Sequence, residues 1–178
     1  CGRTGKFLAA QHAGVAPDVV ALAKPIAAGT PMGVCLANAA LADTFAKGEH
    51  GTTFGGGPLV CRAATVFLDA VDGGLLDDVT ARGAQLRAGL EQLGRELAIV
   101  REVRGRGLML GLRLHHSATE VQKELYRQRL MVNCTAGDVL RIVPPFVVTE
   151  AQVDAALLRI GDVLTHFQQN PASAEAHP

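Results

Sequence analysis

The chain has 178 residues, 48% hydrophobic and 19% charged, and its 17 basic and 17 acidic side chains cancel to a formal net charge of zero. That composition belongs to a globular domain or to parts of two, and the neutral balance excludes the basic footprint of a nucleic-acid or anionic-membrane binder. No apolar run is long enough to span a bilayer and no secretory leader opens the chain, while Cys1, Cys35, Cys61 and Cys134 lack C-x-x-C or metal-ligand spacing, so a cytoplasmic protein with reduced thiols and no metal is expected.

In chain order, the glycine-rich opening and the absence of an initiator methionine at Cys1 read as the continuation of a longer protein. Residues 7–13 suit a short helix or turn ended by Gly14 and Pro17. The apolar run 19–23 predicts a buried strand, and Pro25, Gly29 and Pro31 turn the chain away directly after it. A second strand is expected at 32–37, with Asn38 capping a short helix to 45. Residues 47–57 form a glycine-rich loop, and Pro58 suits the first position of a helix that runs to Ala70 and is broken by Gly73 and Gly74. Leu75, Val79, Leu86, Leu90, Leu93 and Leu97 recur at helical spacing. A domain boundary falls here, giving domains 1–74 and 75–178.

The second domain reads as short strands alternating with capped helices. Strands are expected at 99–103 and 108–114, joined by a turn in which Arg104 and Arg106 flank Gly105 as structural residues. Further strands are expected at 130–132 and 139–143, the last stopped by Pro144 and Pro145. Ser117 with Glu120, and Thr149 with Gln152, have the spacing of capping boxes; they open helices to 129 and about 167. The tail from about 170 reads as frayed.

Three places carry chemistry. Lys24 stands at the end of an apolar strand, where partial desolvation disfavours the ammonium and a neutral amine can attack a carbonyl; the alternative is a strand-capping lysine whose amine reaches water. The run from His50 to Pro58 places Thr52 and Thr53 among glycines ahead of a helix N-terminus, which suits a phosphate or only a turn. Arg141 interrupts an apolar strand, and a guanidinium there either meets a carboxylate or points to solvent from a sheet edge. His115 and His116 read as surface residues.

Gly2-Arg3-Thr4-Gly5-Lys6, Ala23-Lys24, Gly29-x-Pro31-Met32-Gly33, His50-Gly51-Thr52-Thr53-Phe54-Gly55-Gly56, Arg104-Gly105-x-Gly107-Leu108-Met109 and Leu140-Arg141-x-x-Pro144-Pro145 occur in this order. Together they resemble the class III pyridoxal-phosphate aminotransferases, in particular those that act on N-acetylornithine. The resemblance implies an α/β chain of the PLP-dependent transferase fold type I: the C-terminal part of the large cofactor domain followed by the small C-terminal domain. It also implies that Lys24 holds pyridoxal phosphate as a Schiff base and moves the substrate proton. Thr52 and Thr53 would reach the cofactor phosphate of a neighbouring subunit in a homodimer, and Arg141 would hold the α-carboxylate of the donor and of glutamate or 2-oxoglutarate. The family's Asp-Glu-Val-Gln strand, whose aspartate pairs with the pyridine nitrogen, precedes the Gly-Arg-Thr-Gly run and is not among these residues. Gly57 and Pro25 depart from the family's usual residues. Ornithine, succinylornithine and 4-aminobutyrate remain alternative donors, and a non-catalytic fragment is the alternative from another class.

Overall fold

The computed structural model describes residues 1–170 and divides the chain into two compact units. Among the described residues, unit 1 comprises 1–2 and 6–76, and unit 2 comprises 3–5 and 77–170. The tail expected to fray lies, from 171, outside the described residues.

Unit 1 is built on an antiparallel hairpin of β1 (Val19–Leu22) and β2 (Val34–Ala37), with Val19 opposite Ala37 and Leu22 opposite Val34. Between the strands lies a 3-10 turn, Lys24–Ala27, whose Ile26 and Ala27 are buried. The turn packs against α1 (Pro58–Ala70), which buries Ala64 and Phe67. Proline at the first turn of α1 removes a donor that would have had no helical partner. The helix expected from Asn38 to residue 45 contracts to one 3-10 turn, Ala39–Leu41. Asn38 turns its amide to Asp18 Oδ1 (2.5 Å) and supplies no side-chain cap. A single π-helical turn, Val71–Leu75, follows α1, and the break lies at Gly74, whose φ of 102° no L side chain adopts readily.

Unit 2 is one four-stranded antiparallel sheet, in the order β3-β4-β6-β5, with three helices on its apolar face. The strands are β3 (Val100–Arg106), β4 (Met109–Leu114), β5 (Asn133–Thr135) and β6 (Val139–Ile142). The helices are α2 (Leu76–Glu96), α3 (Thr119–Arg127) and α4 (Glu150–Gln169). Period-two alternation in β4 and β6 sends Leu110, Leu112, Leu114, Leu140 and Ile142 into a core shared with Leu86 and Leu90 of α2, Val121 and Leu125 of α3, and Val153, Ile160, Val163, Leu164 and Phe167 of α4. Arg82 of α2 pairs with Glu150 of α4 at 2.9 Å, and Gln85 donates to Asp154 at 2.6 Å, tying the two helices at their solvent edge.

Three local expectations are corrected. The β3–β4 turn is tighter than the glycines suggested: β3 continues through Arg104, Gly105 and Arg106, which pair with Gly111, Leu110 and Met109. Gly107 forms the turn because it is sandwiched; a Cβ there would lie 2.7 Å from the Thr4 backbone, and a Cβ on Gly83 of α2 would lie 2.6 Å from the Gly107 backbone. Residues 130–132 are not a strand. α3 ends at Arg127, the chain turns at Arg129, whose φ is 60°, and Leu130 and Val132 pack their apolar side chains against the core, so pairing with β6 is left to Asn133–Thr135. At α3 the cap is Ala118, with Ser117 Oγ accepting only from Thr119 N–H (3.3 Å) and Glu120 paired to Lys123 (2.7 Å). The Thr149 box forms fully: Thr149 Oγ1 accepts from Gln152 N–H at 3.3 Å, and Gln152 Oε1 accepts from Thr149 N–H at 2.9 Å.

Candidate active site

Lys24 follows β1 by two residues and has a φ of 59°. A non-glycine residue in the left-handed region is uncommon and is held there only when its surroundings over-determine it. The anchors are visible: Leu22 before it and Ile26 and Ala27 after it are buried, and Pro25 fixes the next φ. Lys24 itself is exposed, which corrects the expectation of a desolvated amine. It stands in the connection of an antiparallel hairpin, not at the mouth of a parallel strand. Its ammonium makes no hydrogen bond or ion pair among the described residues.

Thr52 and Thr53 are exposed in the loop ahead of α1. Thr52 Oγ1 accepts from Gly55 N–H at 3.1 Å, and a Cβ on Gly55 would lie 2.1 Å from Thr52 Cγ2, so the glycine admits the turn that the threonine closes. The Thr53 hydroxyl has no partner among the described residues. α1 opens with Gly57 at the cap position and no side-chain cap, which leaves its first N–H groups to be satisfied from outside. His50, beside the loop, stacks on Phe45 with ring centroids 5.7 Å apart.

Arg141 lies on β6, an interior strand with Gly111 of β4 on one side and Asn133 of β5 on the other. The edge-strand alternative is therefore excluded: Arg141 is exposed because it stands on the solvent face of the sheet, between Leu140 and Ile142, which point to the core. Its guanidinium makes no hydrogen bond or ion pair among the described residues. Just beyond, Arg3 holds the segment after β6, donating to the Pro144 carbonyl and lying 4.1 Å over the Phe146 ring. Burial lowers the Arg3 pKa from its ordinary value. Leu108 N–H donates to the Arg3 carbonyl at 3.0 Å, which ties Arg3, Thr4 and Gly5 into unit 2.

The same sheet face carries an acid–base chain that the sequence reading missed. Arg113 Nε donates to Asp138 at 2.7 Å, and Glu102 lies 3.7 Å from Arg113 and 3.6 Å from Arg104. The hydrogen bond from Arg113 holds the Asp138 carboxyl below its usual range, and Asp138 raises the Arg113 pKa in turn. Arg104, Arg106 and Arg141 line one shallow hollow of about 420 Å³ with Thr4 and Thr135. The signal was present as the alternation Glu102, Arg104, Arg106, which fits a strand with one polar face. Lys24, Thr52 and Thr53 belong to unit 1 and Arg141 to unit 2, so neither unit alone holds all four.

The model of the class III aminotransferase family matches residues 1–164. The chain belongs to that family. It is 42% identical over 163 residues to the acetylornithine aminotransferase of Aquifex aeolicus, covering 92% of this chain and 42% of that one. The Corynebacterium efficiens acetylornithine aminotransferase is 43% identical over 167 residues, covering 93% and 40%. Among solved structures, the acetylornithine aminotransferase of Elizabethkingia anophelis superposes with a TM-score of 0.86 at 32% identity, over 93% of this chain and 43% of that one. An ornithine aminotransferase from Toxoplasma gondii gives 0.88 at 32%, over 96% and 42%. The chain thus spans well under half the length of the relatives it matches. The fold is that of the PLP-dependent aminotransferases, and the cofactor of these class III enzymes is pyridoxal phosphate. No helix among the described residues is long and apolar enough to cross a membrane.

Proposed function

We propose that this chain supplies the covalent-attachment lysine and the carboxylate-binding arginine of a cytoplasmic aminotransferase that moves the terminal amino group of N-acetylornithine to 2-oxoglutarate. The observation that carries the reading is Lys24: an unpartnered amine, in a left-handed backbone conformation clamped by buried neighbours, in a chain whose family match covers residues 1–164. The donor set suits pyridoxal phosphate, because a primary amine can attach to its aldehyde and the Thr53 hydroxyl and the uncapped start of α1 can meet a phosphate. When bound, the cofactor supplies the electron sink and carries the amino group.

The chain's own residues do the rest. Lys24 Nζ would hold the cofactor covalently between turnovers and, once displaced by the amino substrate, would carry the proton between the substrate carbon and the cofactor within each half-reaction. The buried Ile26 and Ala27 restrain the backbone from which that amine is swung. Thr53, with Thr52 closing the loop behind it, donates to the cofactor phosphate across a homodimer interface. Arg141 would pair bidentately with the α-carboxylate of glutamate and 2-oxoglutarate, which adjoins the carbon that exchanges the amino group.

Reductive trapping tests the lysine. After incubation with pyridoxal phosphate and borohydride reduction, peptide mapping is expected to find the pyridoxyl adduct on Lys24 and not on Lys6, Lys47 or Lys123. An adduct spread evenly over the four lysines rejects the assignment. Ornithine is the second reading for the donor, favoured by the ornithine aminotransferases among the solved structures most similar to this chain. Comparing the two amines as donors in the assembled enzyme separates them.

A further inference from the structure

Arg141 does not stand alone on its sheet face. The registers β3–β4 and β4–β6 place Arg104 opposite Gly111 and Gly111 opposite Arg141, so the three residues form one row across three strands. Residues directly opposite in antiparallel strands share a face, so both guanidinium stems rise from the polar side with a glycine between them. A Cβ on Gly111 would lie 3.5 Å from Arg104 Cγ and 3.7 Å from Arg104 Nε. The Arg104 side chain therefore leaves β3 and runs across β4, over the place where Gly111 has no side chain, toward β6. Gly111 is buried beneath it.

Strands in a sheet are about 4.8 Å apart, so the Cα atoms of Arg104 and Arg141 are separated by roughly 10 Å, a gap that two long side chains can close on one small anion. Charge agrees with geometry. The hollow is lined by Arg104, Arg106 and Arg141 with the hydroxyl residues Thr4 and Thr135, and no carboxylate lines it. The acid nearest Arg104 is Glu102, 3.6 Å away, but Glu102 is shared with Arg113 at 3.7 Å, and neither distance is that of a close charge-assisted hydrogen bond. Two guanidiniums facing each other without an acid between them repel, and a bound carboxylate relieves that repulsion while using both forks.

We infer that Arg104 and Arg141 together form a two-guanidinium seat for a single substrate carboxylate, with Gly111 as the gap that lets them share it. The inference deepens the proposed role of Arg141 and rests on it. Arg104 is a binding residue in this scheme: it raises affinity for the carboxylate shared by glutamate and 2-oxoglutarate and takes no part in proton transfer.

The test is a titration of the isotopically labelled 178-residue chain with 2-oxoglutarate, followed by amide shifts of Gly111 and Arg141, for the wild type, Arg104→Ala, Arg104→Lys, Arg141→Ala and Gly111→Ala. Arg104→Ala and Arg141→Ala are each expected to weaken binding about tenfold or more, as for loss of a charge-assisted hydrogen bond. Arg104→Lys, which keeps the charge and loses the fork, should recover only part. Gly111→Ala should weaken binding with both arginines still present, and its unperturbed core amides would show that the fold is intact. If Arg104→Ala binds as the wild type does while Arg141→Ala does not, the shared seat is wrong and the single-arginine reading survives. If neither substitution matters, or the wild type does not bind, both readings fall.

Discussion

Unit 2 is the longer of the two units, and the two interiors differ by far more than their lengths do. Unit 2 closes its sheet with three helices and buries Leu86, Leu90, Leu110, Leu112, Leu114, Leu140, Ile160 and Leu164 almost completely. Unit 1 buries only Leu22, Ile26, Ala27, Ala64 and Phe67, and exposes Phe54 at 90%, Leu59 at 80% and Phe45 at 69%. A sheet face with helices laid over it satisfies its apolar residues within one chain, whereas a two-stranded hairpin with a single packed helix cannot. Phe45, Phe54 and Leu59 lie in or beside the glycine-rich loop and the start of α1, the region proposed to face a second subunit. The proposed roles divide along the same line: the proposed covalent-attachment lysine belongs to the unit with the smaller core, and the proposed carboxylate-binding arginine to the unit with the larger one.

Hydrogen exchange offers the sharpest way to break this contrast. Amides in β4 and α4 are expected to be protected about a thousandfold more than those in β1 and α1, since exchange through local opening spans the range from near zero to the global stability; equal protection would end the comparison. Among substitutions, Leu112→Ala, at 0% exposure in the central strand β4, should destabilise unit 2 by about 2–5 kcal/mol, whereas Leu59→Ala should change stability by less than about 0.5 kcal/mol. Urea unfolding monitored in each unit separates the two. Gly83→Ala drives a methyl group to 2.6 Å from the Gly107 backbone and should cost about 1–3 kcal/mol through forced repacking of α2 against the β3–β4 turn. Thr149→Ala removes the α4 capping box and should lower stability by about 1 kcal/mol in the same assay.

The smallest effect is on acid stability. The Asp138 carboxyl is held low by Arg113 in the folded chain, so its contribution is present above the unfolded aspartate value and is lost as pH falls through the folded one. Asp138→Asn should therefore flatten the acid limb of unit 2 unfolding and leave neutral-pH behaviour nearly unchanged, because the pair is open to solvent. A steep acid limb retained in the variant would assign acid sensitivity to other carboxylates.

Much was legible in the residues themselves. The Pro58–Ala70 helix, the break at the glycine pair, the long leucine-spaced helix and the Thr149 capping box follow from local rules, because proline geometry, helical period and capping act within a few residues. The ordered motifs around Lys24, Thr52 and Arg141 also identified the family. What local rules could not supply is whatever depends on partners far away in sequence. Leu130 and Val132 look like strand residues but are taken by the core, and Arg104 and Arg106 look like turn residues but belong to a strand, because Gly107 is squeezed between α2 and the Thr4 backbone. Residue types alone determined that this chain carries a lone lysine after an apolar run and an arginine inside one. Only the tertiary structure decided that the lysine is solvent-exposed with a left-handed backbone, and that the arginine shares a row with Gly111 and Arg104. Register between strands is a long-range property, set by which apolar faces reach the core, and no short window of sequence contains it.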